Sequence, residues 1–217
     1  MTSNPAHGLQ AIGEAAIGRL EAVNSARERA LAETRQVVRL CANSIRAIHR
    51  GEFDTARDLQ SQAQEILDGL IGELESQPKI YWSGYVQDSQ KEFAEACITL
   101  AIVEGTEMPD PGQLRVDDAV YLNGLAEAAG ELRRHVLDSI RSGELSRAET
   151  MLGVMDDIYG LLVTVDYPDA VTSGLRRSTD MVRGVLERTR GDLTMSRQQR
   201  ELTEALERAE RIAGTDQ

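Results

Sequence analysis

The stretch KEFAEA, residues 91–96, sets Glu92 and Glu95 three positions apart among small and apolar neighbours. A second stretch, LAEAAGELRR, residues 125–134, sets Glu127 and Glu131 four positions apart. On an α-helix these spacings correspond to about 60° and about 40° around the axis, so each pair points one way. Two such helices side by side bring four carboxylates to one seam. Like charges at that range repel, and burial raises their pKa values. A divalent cation removes the penalty, and a donor set made only of oxygen favours Mg²⁺ or Mn²⁺. An ion held there can activate water and stabilise the charge that develops in phosphodiester cleavage. Spacing alone leaves the plainer alternative open: the chain has 36 acidic residues, and glutamate on a helix commonly covers a solvated face.

Arginines supply a second pattern. Arg35, Arg39, Arg46 and Arg50 fall within an arc of about 60° on one helix, with His49 at its edge. Arg176, Arg183 and Arg190 recur every seven residues on a later helix, and Arg177 lies beside the first of them. Arginines in line can grip successive phosphates; they equally form a solvated face with local ion pairs. Tyr81, Trp82 and Tyr85 are the one aromatic cluster, suited to base stacking or to a core or subunit contact. The net charge of −12 argues against indiscriminate coating of nucleic acid, so a basic face makes sense if it is enclosed and the exterior stays acidic.

The elements that must position these groups read as helices throughout. Apolar residues make up 41% of the 217 residues and aromatics only 4%, so the core is built from Leu, Ile, Val and Ala. No run alternates as a strand does. Seven helical segments are expected: about residue 6 to His49, Phe53 to about Gln77, Lys79 or Ser83 to Val103, Val116 or Asp117 to Ile140, Leu145 to Val165, beyond Pro168 to about Gly191, and from Ser196 onward. Gly51, the loop 104–113 and the RSGE turn at 141–144 separate them. Such helices imply an antiparallel α-α bundle in one domain spanning 1–217, with a core of about 20–195 and a polar tail from about 213. Gly124 and Gly130 lie inside the fourth helix, where glycine costs about 1 kcal/mol against alanine, and they signal a close approach by a helix or ligand. Cys41 and Cys97 fall on apolar faces and read as buried thiols, not as a disulfide or metal pair. No apolar run is long enough to span a membrane and no leader is evident, so a cytoplasmic protein is expected. Phosphate-loop, dinucleotide and serine-hydrolase motifs are missing. Glu131 and His135 are four apart, not the three a ferritin-like di-iron bundle needs.

Three blocks, SIRAIHRGEFDTARDL, VYLNGLAEAAGELRRHVLDSIRSGE and GLRRSTDMVRGVLERTRGDL, resemble the translin and translin-associated factor X (TRAX) family in order and spacing. The resemblance implies a seven-helix bundle that assembles into a hollow homo-oligomer, commonly an octamer. Translin-type members bind single-stranded RNA and DNA; TRAX-type members are metal-dependent endoribonucleases with catalytic acids on inward-facing helices. The TRAX pattern reads roughly Gln-Glu-aromatic-x-Glu-Ala where this chain has KEFAEA, so the chain is similar to the TRAX type. Glu92, Glu95 and Glu127 are then the expected catalytic residues and ligands of Mg²⁺ or Mn²⁺, with Glu131 on the ion or directly behind it. The family's third acid is an aspartate, so Glu127 adds a methylene. The resemblance also implies Arg39, Arg46, His49 and Arg50 as RNA contacts, with Arg176 and Arg177 as further candidates. A non-catalytic single-strand binder of the translin type is the alternative.

Overall fold

A computed structural model describes residues 8–215, and their side chains as far as residue 212. Nine helical segments occur among these residues, and no strand. Six are long: α1 (Leu9–Arg50), α2 (Phe53–Leu74), α4 (Gly84–Glu104), α6 (Asp118–Arg141), α7 (Leu145–Val163) and α9 (Leu175–Thr215). Three are single turns in the connections: α3 (Pro78–Tyr81), α5 (Pro111–Leu114) and α8 (Asp169–Thr172).

The expected punctuation holds. Gly51 adopts φ 74°, a left-handed conformation that glycine takes without a Cβ clash, and Glu52 N–H then reaches back 2.9 Å to the Ala47 carbonyl. Gly105 and Gly143 end α4 and α6 the same way. Asp117 caps α6 by accepting from Ala119 N–H, and Asp110 with Gln113 forms a capping box on α5.

The segments on either side of Gly191–Ser196, expected as two helices, are one helix, α9; α1 runs over 42 residues. Arg190, paired to Asp156 and Glu187, and Arg197, paired to Glu149 and Glu201, hold α9 on α7 across the glycine. The expected start near residue 6 lies outside the described residues. The C-terminal segment is still helical at Thr215, and residues 216–217 lie outside them as well.

Hairpin neighbours run antiparallel: Ser44 meets Ala56 while Arg29 meets Glu73 across α1 and α2, and α6 and α7 are joined by the tight turn at 142–144. The central pair does not. Gln87 and Val120 line one cleft, Gly124 abuts Ala94, and Val103 and His135 line another, so α4 and α6 run side by side in the same direction. The connection 105–117 carries the chain back along the bundle. This parallel register sets Glu92 and Glu95 alongside Glu127 and Glu131 in matching order. The core is aliphatic, as composition requires, with Ile48, Leu67, Phe93, Ile98, Leu132, Met155 and Leu186 fully or almost fully buried. Helix α4 packs against α1, α2 and α6, and buries residues around most of its circumference. A carboxylate on such a helix has little solvated face to occupy.

Candidate metal centre and nucleic-acid interface

Glu92, Glu95 and Glu127 come together: one carboxylate oxygen from each lies within 4.8 Å of the others. The approach depends on Gly124. A Cβ built there would lie 2.9 Å from the Ala94 Cβ, 2.9 Å from the Lys91 carbonyl oxygen and 3.1 Å from the Glu95 amide nitrogen. Only a glycine lets α6 settle this closely on the turn of α4 that carries the acids. Gly130 has open space at the same test, so of the two glycines singled out in the sequence one is a packing requirement. The longer reach of Glu127 does not exclude it from the cluster.

Glu95 is the most enclosed of the three, with 7% of its surface exposed. Among the described residues no hydrogen bond or ion pair reaches its carboxyl group. Burial pushes its pKa up to about 9, and the charges of Glu127, Glu92 and Glu131 add to the rise, with Lys91 opposing. Burial likewise raises Glu92. Glu131 stands apart from the cluster, and its Oε2 accepts a 2.6 Å hydrogen bond from His49 Nε2. That bond is the main reason its pKa is lowered. His49 Nδ1 in turn lies 3.2 Å from His135 Nε2, and burial holds the His135 imidazole neutral down to a pKa of about 4. Two of these carboxylates are thus driven opposite ways: Glu95 towards its protonated form and Glu131 towards its ionised one.

Three acidic oxygen donors, one of them buried and unpaired, fit a hard divalent ion. Neighbouring ligands of an octahedral Mg²⁺ sit about 3.0 Å apart and opposite ones about 4.2 Å, so the three side chains would draw together around an ion. Lys91 supplies the local positive charge. Its Nζ is 2.5 Å from Glu127 Oε1 and 3.5 Å from Glu92 Oε1. Burial lowers the lysine's pKa, but the hydrogen bond and charge of Glu127 outweigh it, leaving the ammonium above its ordinary value.

Clefts open on both sides of the cluster. One, of about 380 Å³, lies among α4, α6 and the start of α9, lined by Lys91, Glu127, Ser178 and Arg177. The other, of about 420 Å³, lies between α1 and α4, lined by Arg35, Tyr85, Lys91 and Glu92. Arg39 and Arg46 continue the Arg35 face along α1 and are exposed. Arg50 is exposed and paired to Glu52, and Arg176 is exposed. His49 does not belong with the open arginine face. Its side chain is 4% exposed and both ring nitrogens are engaged, so it holds Glu131 instead of offering itself to a phosphate. Of the aromatic cluster, Tyr85 lines a cleft, Tyr81 packs beside Ile80, and Trp82 is 59% exposed. Both cysteines are free, and burial raises both thiols. No helix among the described residues is long and apolar enough to cross a membrane.

The fold and site define an all-helical bundle with a carboxylate cluster flanked by arginine-lined clefts. No protein-family model matches the chain. It is 33% identical over 190 residues to Uncharacterized protein MJ0175 of Methanocaldococcus jannaschii, covering 86% of this chain and 83% of that one. The crystal structure of AfC3PO superposes with a TM-score of 0.79 at 34% identity, covering 86% of this chain and 97% of that one. AfC3PO in complex with duplex RNA gives 0.78 at the same identity and coverage. Apo-NeC3PO, at 18% identity, shares the fold with a TM-score of 0.76 over 90% of this chain and all of that one. The chain belongs to the translin family, as its likeness to AfC3PO shows.

Proposed function

We propose that the protein is a TRAX-like, Mg²⁺- or Mn²⁺-dependent endoribonuclease that cuts single-stranded RNA within a homo-oligomeric shell, octameric as the family resemblance implies. The observation that carries the reading is the buried, unpaired Glu95 carboxyl, which lies beside Glu92 on α4 and faces Glu127 across a seam that Gly124 closes. The duplex RNA held by AfC3PO supports RNA as the polymer. Exposed apolar residues at both ends of the bundle, Leu9, Ile12 and Leu20 on α1 and Leu202, Leu206 and Ile212 on α9, suit contacts between copies.

Glu92, Glu95 and Glu127 would hold the ion, which when bound polarises a phosphate oxygen and acidifies water. The chain's own groups do the rest. Arg177 on one side and the Arg35–Arg39–Arg46 face on the other pair with phosphates flanking the scissile bond. Tyr85 offers a ring to a neighbouring base. Glu131, held by His49, stands apart from the three acids and keeps a negative charge behind them, and His135 fixes the orientation of His49.

Labelled RNA, single-stranded and duplex, incubated with Mg²⁺ or with EDTA tests this on a gel. Internal cuts in single-stranded RNA are expected with Mg²⁺ only. Retention without cutting in both conditions would instead establish the non-catalytic, translin-type binder. Arg39→Glu combined with Arg46→Glu is expected to weaken RNA binding and to flatten its salt dependence, each lost phosphate contact removing about 0.7 from the log–log slope. An unchanged affinity and slope would remove the α1 face from the RNA path.

A further inference from the structure

The geometry points to Lys91 as a built-in substitute for the metal: its ammonium occupies the seam between Glu92 and Glu127 in the ion-free chain and must leave when a divalent cation enters. This rests on the metal-site reading above and adds a regulation of that site. Lys91 follows Gln90, which is fully buried, and precedes Glu92 on α4, yet its flexible stem brings Nζ across to α6, within hydrogen-bonding reach of Glu127 Oε1 and 3.5 Å from Glu92 Oε1. An ammonium on those oxygens repels an incoming divalent cation and competes with it for their lone pairs. The same lysine lines both flanking clefts, so on release it has open space on either side, with Arg177 and Ser178 in one and Arg35 and Tyr85 in the other. Both are spaces where the proposed reading places RNA phosphates. The lysine therefore exchanges a carboxylate partner for a phosphate partner as the ion arrives. Metal and RNA then bind with positive coupling, and by linkage each raises the affinity for the other.

The test uses the full chain and Mn²⁺, with binding followed by the loss of the free-ion paramagnetic resonance signal and by thermal unfolding. Lys91→Met and Lys91→Gln are compared with wild type and with Arg177→Met, a charge-removal control in the same cleft. Both lysine variants are expected to unfold at lower temperature than wild type in EDTA, where Glu127 has lost its counter-ion. That deficit disappears at saturating Mn²⁺. They should also bind Mn²⁺ about tenfold tighter than wild type, because no resident cation competes at contact range, whereas Arg177→Met changes affinity far less. Single-stranded RNA with a non-cleavable backbone should tighten Mn²⁺ binding in wild type, and do so less in the lysine variants. Equal or weaker Mn²⁺ affinity in both lysine variants, or a thermal deficit of the same size with and without Mn²⁺, overturns the proposal. So does an equal gain in Arg177→Met. Failure of Mn²⁺ to bind wild type, or binding that survives Glu95→Gln, rejects the metal centre itself and this inference with it. Glu95-dependent binding that is indifferent to Lys91 rejects this inference alone.

Discussion

Glu95→Gln is expected to abolish RNA cleavage, a loss of about a thousandfold or more, while the protein becomes more stable without metal and still retains RNA. The two effects have one cause. Burial pushes the Glu95 carboxyl up to about 9 in the fold, against an ordinary value of 4.5. The native chain therefore binds a proton that the unfolded chain releases, and stability falls as pH rises between those values. Glutamine has no such proton to lose. In EDTA the melting temperature of wild type should fall from pH 6.5 to pH 9, above the window in which His135 titrates, and that of the variant should fall much less. Saturating Mn²⁺ should reverse the order, because an ion bound only to the folded state at a hundred times its Kd stabilises by about 2.7 kcal/mol. The stabilisation grows with pH, since the ion must expel the Glu95 proton. On the acid side the sign changes: His135, depressed by burial to about 4, contributes stability present above its ordinary value of 6.5 and lost as pH falls through 4. Equal cleavage by wild type and Glu95→Gln would remove Glu95 from the catalytic set.

Gly124→Ala should have the second largest effect, although it touches no functional group. The added methyl meets the Ala94 side chain and two backbone atoms of α4, which cannot swing aside as a flexible side chain does. Helices α4 and α6 must separate, at a cost of about 1–3 kcal/mol even after alanine's better helix propensity is counted. The displacement acts at the turn that carries Lys91 and Glu95, so Mn²⁺ affinity should fall with stability. Gly130→Ala, six residues further along the same helix, meets no atom within 4 Å and is expected to be neutral or stabilising by up to about 1 kcal/mol. Denaturant melts of the two variants, with Mn²⁺ titrations beside them, make the comparison. Similar behaviour of both would show that the close contact at Gly124 does not set the site.

The contrast between these glycines shows how far the sequence could be read. Spacing placed Glu92 with Glu95 and Glu127 with Glu131 on helix faces, and a glycine inside an otherwise strong helix signalled a close approach. Neither signal distinguishes Gly124 from Gly130, because what separates them is the neighbour across the seam. The helical class followed from the absence of strand alternation and from the stops at Gly51 and Gly143. The continuity of α9 through Gly191 did not, because Leu186 and Leu193 on either side of it are buried against the bundle and Asp192 meets Arg133, 59 residues away in the chain. His49 read as one of a row of bases. Its burial against Glu131 and His135 depends on contacts 82 and 86 residues distant. The role of Lys91 is not legible in the sequence for a local reason: adjacent positions on a helix point about 100° apart, which directs a residue next to Glu92 away from the acids. Only the length of the lysine stem brings its charge back.

Mn²⁺ can be located directly in crystals by its anomalous scattering, and that measurement bears most closely on the central claim. The account predicts a peak bridging α4 and α6, within about 2.2 Å of carboxylate oxygens from Glu92, Glu95 and Glu127, with the Lys91 ammonium moved out of the seam. Crystals soaked in saturating Mn²⁺ that show no peak there, with the three carboxylates unchanged and Lys91 still on Glu127, would contradict it.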